Sequence, residues 1–315
     1  MEPVSSPACP ARIAKENAAM IVFENSGEID PQLISLIGVN VKDSASAIGF
    51  FGTGLKYAVA CLARWGEHLT IQSGLSEFTF RVEETSIRGR TFSVLSMHGP
   101  VDSLRLGFTT DLGKRWEPWM VYRELWCNAH DEPETRVYTV QQAPRPTAGL
   151  TRVIVAGPKI EHAHEMRAEF ILEGREPLHV LPGVEIYEGA GKRIFYRGIA
   201  VQTPDKPGIY TYNITEHLYL TEDRTAGSWQ TDSIIARGLS QIDATNVIDA
   251  TLLAPSDKLE SRLDYDYVSN ASDAWNERAG HFATTRPMDI PATVRSKYIV
   301  PAARVCPTCQ RPLEE

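Results

Sequence analysis

The apolar positions of this chain fall into short runs separated by polar, glycine-bearing and proline-bearing stretches. AAMIVFENSGEID begins with an apolar run, Met20 to Phe23, that predicts a short buried strand ending in a polar turn. PQLISLIG predicts a brief helical turn, and VNVKDSASAIGFFGTG, small and polar with three closely spaced glycines, predicts a loop. In LKYAVACLARWG the apolar positions Leu55, Ala58, Val59 and Leu62 share one helical face, and Gly66 supplies the stop. HLTIQSG, FTFRVEETSI and TFSVLSMHG alternate or are β-branched between turn residues, which predicts three strands of an antiparallel meander. EPWMVYRELWCNAHDE predicts an amphipathic helix with Pro118 near its first turn. TRVYTV and LTRVIVAG then predict a hairpin around the proline-rich APRPTAG.

From about Pro158 the pattern predicts a second domain. EHAHEMRAEFIL reads as a helix, GVEIYEGAGKRIFYRGIAVQ as two strands joined by a Gly-Ala-Gly turn, YTYNITEHLYL as a strand and SWQTDSIIARGLSQI as a helix. The expected division is 1–157, 158–300 and a tail over 301–315 that carries VCPTCQRPLEE. No internal repeat or low-complexity tract interrupts it.

Composition narrows the function classes. With 315 residues and 43% hydrophobic content the chain can bury a full core. Its 32 basic and 40 acidic residues give a formal charge of -8, which argues against a broad nucleic-acid footprint. Five cysteines, an odd number without framework spacing, fit a reducing cytoplasm better than a secreted disulfide scaffold. No apolar run reaches the roughly 18 to 20 residues that span a bilayer, and Pro, Glu and Lys occupy the place of a signal peptide's apolar stretch. The reading is therefore of a cytoplasmic protein without a membrane partner.

Two constellations carry chemistry. In IGFFGTGLKYA, Gly49, Gly52 and Gly54 stand directly before a helix, so loop amides and the helix N-terminus can point at an anion, with phosphate the natural guest. Lys56, on the first turn, adds a positive charge. Three such glycines also mark tight turns or close helix-to-sheet contacts, and the spacing is neither a P-loop nor a dinucleotide fingerprint. In RELWCNAHDE, Glu124, Asn128 and Asp131 project from one helix face. A carboxylate there can orient and deprotonate a water beside a metal-bound triphosphate, and an amide oxygen one turn on can complete a magnesium shell. Such a pair is also common on solvated helix faces, and it gains meaning only together with the glycine loop. Cys306 and Cys309 in CPTC form half of a zinc knuckle, or else a free tail; His162 and His164, two apart on a helix, diverge.

Together these motifs resemble the GHKL superfamily: gyrase, the heat-shock chaperone, histidine kinases and mismatch-repair ATPases. RELWCNAHDE is similar to its N box, which implies Glu124 as general base and Asn128 as magnesium ligand, with Asp131 matching the closing acid. MIVFENSGEID resembles the first glycine box, with Glu24 in place of the adenine-reading Asp, then Asn25, and Gly27 between Ser26 and Glu28. IGFFGTGLKYA resembles the second box, which brings Thr53 and Leu55 to the nucleotide beside Gly49, Gly52, Gly54 and Lys56. Lys42, in the segment resembling the ATP lid, is a phosphate contact or a solvated residue. GRTFSVLSM resembles the third box, Gly then Thr entering a strand, with Arg90 between Gly89 and Thr91.

The N box follows the glycine boxes here instead of preceding them, an order that a circular permutation explains. The resemblance covers residues 18 to 155, about half the chain. It implies an α+β chain: a permuted two-layer sandwich of the Bergerat type, then a second, transducer-like α+β domain in which Glu222 to Arg224 would form a phosphate-sensing loop. It implies Mg-dependent ATP binding and slow hydrolysis coupled to lid closure, with a homodimer and a protein partner as associations. The alternative is an ATP-binding interaction module or nucleotide sensor that does not hydrolyse. Phosphotransfer ranks last, because no dimerisation helix carries an acceptor histidine. A compact permuted member would suit a phage or mobile element.

Overall fold

The computed structural model describes residues 19–30, 32–36, 53–266 and 268–298. The chain is mixed α and β and divides into two compact units at Arg167 and Ala168.

In the first unit, β1 (Met20–Ser26) is followed by the short α1 (Gln32–Ser35) and then α2 (Gly54–Trp65). Gly66 stops α2 in the left-handed region at φ +71°, where its N–H and that of Glu67 close back on Ala63 and Leu62. Next come β2 (His68–Ser73), β3 (Ser76–Ile87), β4 (Arg90–His98), β5 (Ser103–Thr109) and α3 (Pro118–His130), with Pro118 in its first turn. β6 (Arg136–Val140), β7 (Leu150–Ala156) and α4 (Pro158–Glu165) complete it. The meander of β2, β3 and β4 forms as the alternation predicts, and β5 extends it.

The predicted hairpin of β6 with β7 does not form. The seven strands run β5-β4-β3-β2-β7-β1-β6, and β1 lies between β7 and β6, antiparallel to both. Its residues Ile21, Val22 and Phe23 are at most 1% exposed, as a central strand requires. α3 packs against α2, α4, β1 and β6, and Phe23 meets Tyr122 of α3 edge-on at 5.1 Å. Because α4 packs on α3, β1 and β7, it belongs to this unit, and the boundary falls after it, not before Pro158.

The second unit holds β8 (His179–Leu181), β9 (Val184–Tyr187), β10 (Ile194–Tyr196), β11 (Ile199–Gln202) and β12 (Thr211–Ile214). Their order is β11-β10-β12-β9-β8, with β10 and β12 parallel, so the predicted β9–β10 pairing is replaced by insertion of β12. α5 (Ser228–Ser240) packs on β9 and β12; Gly238 lets it approach Val184 so closely that a Cβ would collide. α6 (Thr245–Leu252), α7 (Asp273–Thr285) and α8 (Ala292–Tyr298) follow, and Trp275 of α7, 2% exposed, packs 5.1 Å from Tyr265. Within Thr221–Thr225 the two threonine hydroxyls bond Asp223, and Arg224 is buried at φ +55°.

Candidate functional site

α2 and α3 bring the two sequence constellations together. A Cβ at position 54 would collide with Oε2 of Glu124, so glycine at the start of α2 is what admits this carboxylate. The N-terminus of a helix carries roughly half a positive charge, which favours an anion at this position. Thr53, just ahead of α2, makes no side-chain cap; its hydroxyl is buried without a hydrogen-bond partner among the described residues. Lys56, on the first turn, is 3% exposed, and burial pushes its ammonium pKa down. Leu55 beside it is half-buried.

On α3, Glu124 is 1% exposed, and Nη2 of the equally buried Arg123 lies 3.5 Å from its Oε1. The Arg123 guanidinium also lies 5.2 Å from the Trp119 ring centroid, one turn back. Asn128 follows Glu124 by one turn, and its amide nitrogen is buried without a partner among the described residues. Asp131 stands just past the helix end, where its backbone N–H bonds Cys127.

The first glycine box is read differently by the two faces of β1. Phe23 packs on Tyr122, so Asn25, two residues on, shares the helix-facing side. Glu24 points to the opposite side, where Arg152 Nε donates to its Oε2 at 2.5 Å and Tyr138 Oη at 2.9 Å. Burial opposes ionisation of Glu24, but the bonds from Arg152 and Tyr138 and the Arg152 charge outweigh it, holding the carboxyl below its usual range. Strand alternation thus places Glu24, expected to read a base, on the face of β1 away from α3, and Asn25 on the face toward it. Asn25 is 9% exposed, and its Nδ2 donates to Ser26 O at 2.8 Å. Gly27 turns the chain at φ +97°, and its N–H bonds Gly149 O at 2.8 Å.

Thr91 is not brought to this site. It pairs with Ser86 in the β3–β4 ladder, nine residues further along β3 than Glu77, which pairs with Gln72 and through it with Arg152 and Glu24. That is about 30 Å of strand. The residue that does meet the first box is Thr151 on β7, directly opposite Asn25. Its hydroxyl donates to Gly27 O at 2.8 Å and accepts from Ile29 N at 3.1 Å. Gly149-Leu150-Thr151 carries the same glycine-then-threonine entry into a strand that drew attention to Thr91. Thr151, Arg152, Tyr138 and Arg123 are the residues that sequence reading passed over.

Lys42, Gly49, Gly52, Cys306 and Cys309 lie outside the described residues. Among the described residues no group of three or more His, Cys, Asp or Glu is placed to hold a metal, and no helix is long and apolar enough to cross a membrane. Comparison of the chain with protein-family models, curated proteins and solved structures finds no match.

Proposed function

We propose that the first unit binds ATP with magnesium and hydrolyses it slowly, as a circularly permuted member of the GHKL superfamily with a Bergerat-type sandwich. The observation that carries this reading is the contact of Glu124 with Gly54, which joins a base-bearing helix to a glycine-cleared helix start 70 residues earlier in the chain. Phosphates would lie at the N-terminus of α2, held by its amides, the Thr53 hydroxyl and Lys56. Glu124 would take the proton of the attacking water. The buried amide of Asn128 can turn its oxygen toward a cation, which fits a magnesium ligand. Magnesium, when bound, would neutralise phosphate charge. Asn25 and Thr151, cross-strand partners on the helix-facing side, are the groups we assign to the base. The second unit would then respond to the nucleotide state. We place the protein in the cytoplasm, where Cys61 and Cys127, both buried and outside any disulfide among the described residues, remain reduced.

The test is calorimetric ATP binding with and without magnesium, paired with phosphate release, for the wild type and Glu124→Ala. Binding is expected to survive the substitution while release falls about 100-fold or more. Absence of magnesium-dependent nucleotide binding rejects the reading. The ion pair of Arg123 with Glu124 favours one second reading, a nucleotide sensor whose base is held from water. Wild-type binding without release selects it.

A further inference from the structure

β3 and β4 continue beyond the body of the first sheet as a two-stranded ribbon. β2 pairs with β3 only as far as Thr79, and β5 with β4 only as far as Val94, with Thr110 N–H still bonding Ser93 O. From Glu84 to Phe92 the two strands pair only with each other, and Arg105 of β5 reaches the Thr85 hydroxyl at 2.6 Å. Arg88 and Gly89 close the ribbon with φ of +50° and +76°, the turn geometry that continues a strand twist. Val82, Ile87 and Phe92 stand exposed on it. Proteins usually blunt such an edge with charged side chains, proline, a bulge or a covering segment. Here the register runs without a bulge and the sequence from Val82 to Phe92 contains no proline.

The charge of the ribbon is divided along its length. Glu83 and Glu84 lie toward its base, Arg88 and Arg90 at its tip, and all four are exposed. Two ribbons aligned antiparallel place base against tip. A twofold axis through Ser86, normal to the ribbon, keeps each face on its own side, as alternation demands. It sets Glu84 of one copy opposite Arg88 of the other, and Thr85 opposite Ile87, each twice. We infer that the free edge of β3 is a homodimer contact, in which two copies of this chain pair their ribbons antiparallel. The net charge of -8 opposes association of two copies, and the reciprocal Glu84 and Arg88 pairs supply a local attraction against it. This inference rests on the ribbon alone and is independent of the nucleotide site.

Sedimentation of the full chain over a range of concentrations tests it. The wild type is expected to self-associate reversibly, less so at high salt. Glu84→Arg and Arg88→Glu are each expected to weaken association about tenfold or more. Their equimolar mixture is expected to regain it, because the mixed pair restores opposite charges at both contacts. Both positions are exposed, and circular dichroism checks that each variant is folded. A wild type that stays monomeric at every concentration overturns the inference, as does a dimer indifferent to both substitutions. A monomer that retards duplex DNA through Arg88 but not Glu84 also overturns it, assigning the tip to a polyanion.

Discussion

Glu124 in the first unit and Glu260 in the second are the most deeply buried acids among the described residues, 1% and 0% exposed. Their surroundings differ in kind. Glu260, in the turn Leu259–Arg262, accepts at Oε1 from Ile209 N at 2.8 Å, Tyr210 N at 3.5 Å and Tyr212 Oη at 2.5 Å. It staples that turn to the segment leading into β12, and its charge, after burial itself, pushes the Tyr212 hydroxyl pKa well up. Glu124 instead lies against a helix start that glycine keeps clear, beside a guanidinium. Burial alone does not separate structural acids from chemical ones; the origin of the neighbouring groups does. Glu260, with three donors of its own unit on Oε1 and Oε2 buried without a hydrogen-bond partner among the described residues, ties two segments of the fold together. An acid brought to an amide-rich helix start stands at the site where we propose that the nucleotide binds.

Glu260→Ala bears hardest on that contrast. It strips acceptors from two backbone N–H groups and a buried tyrosine hydroxyl, each costing about 1–3 kcal/mol when left unpaired. A loss of about 3 kcal/mol in the unfolding of the second unit by urea is expected, with ATP affinity unchanged. A loss of nucleotide binding without a loss of stability would erase the distinction. Gly54→Ala makes the opposite demand. The added methyl meets only the end of the Glu124 side chain, and alanine is the better helix former, so stability should move by about 1 kcal/mol or less. Displacing the carboxylate should slow phosphate release about tenfold or more. An unaltered release rate would show that Glu124 has no part in turnover.

How much of this was legible follows from what each signal measures. The helices α2 and α3 were readable because periodicity, Gly66 and Pro118 are local signals. The existence of most strands was readable too, β5 and β8 excepted, but strand partners were not. TRVYTV and LTRVIVAG are equally compatible with a hairpin and with the insertion of β1 between them, because alternation carries no record of which edge meets which. The same limit hid that Thr91 lies far along the β3–β4 ladder while Thr151 pairs with β1, since both follow a glycine into a strand and only the register separates them. In the segment that resembles the first box, Glu24 and Asn25 differ by a single position, enough to put them on opposite faces of the sheet. Gly54 and Glu124 were each read locally, and their contact was beyond any local pattern.

That single-residue difference yields the smallest test. If Glu24 is structural, Glu24→Gln should leave nucleotide affinity unchanged and cost stability through the pairing with Arg152 and Tyr138. Arg152 keeps Arg145 O at 2.8 Å and Thr147 Oγ1 at 3.1 Å, so the loss should be only about 1 kcal/mol at neutral pH. The sign of its pH dependence is fixed by the direction of the shift. The carboxyl titrates below its ordinary 4.5 in the folded chain, so its contribution is present above that value and disappears as pH falls through the lower folded one. The melting temperatures of wild type and variant should therefore differ most near neutrality and converge as the pH falls through the lowered folded pKa of Glu24. A gap that widens in acid would mean that Glu24 is held protonated rather than ionised. A drop in nucleotide affinity would return Glu24 to the binding site and reopen the choice between the two faces of β1.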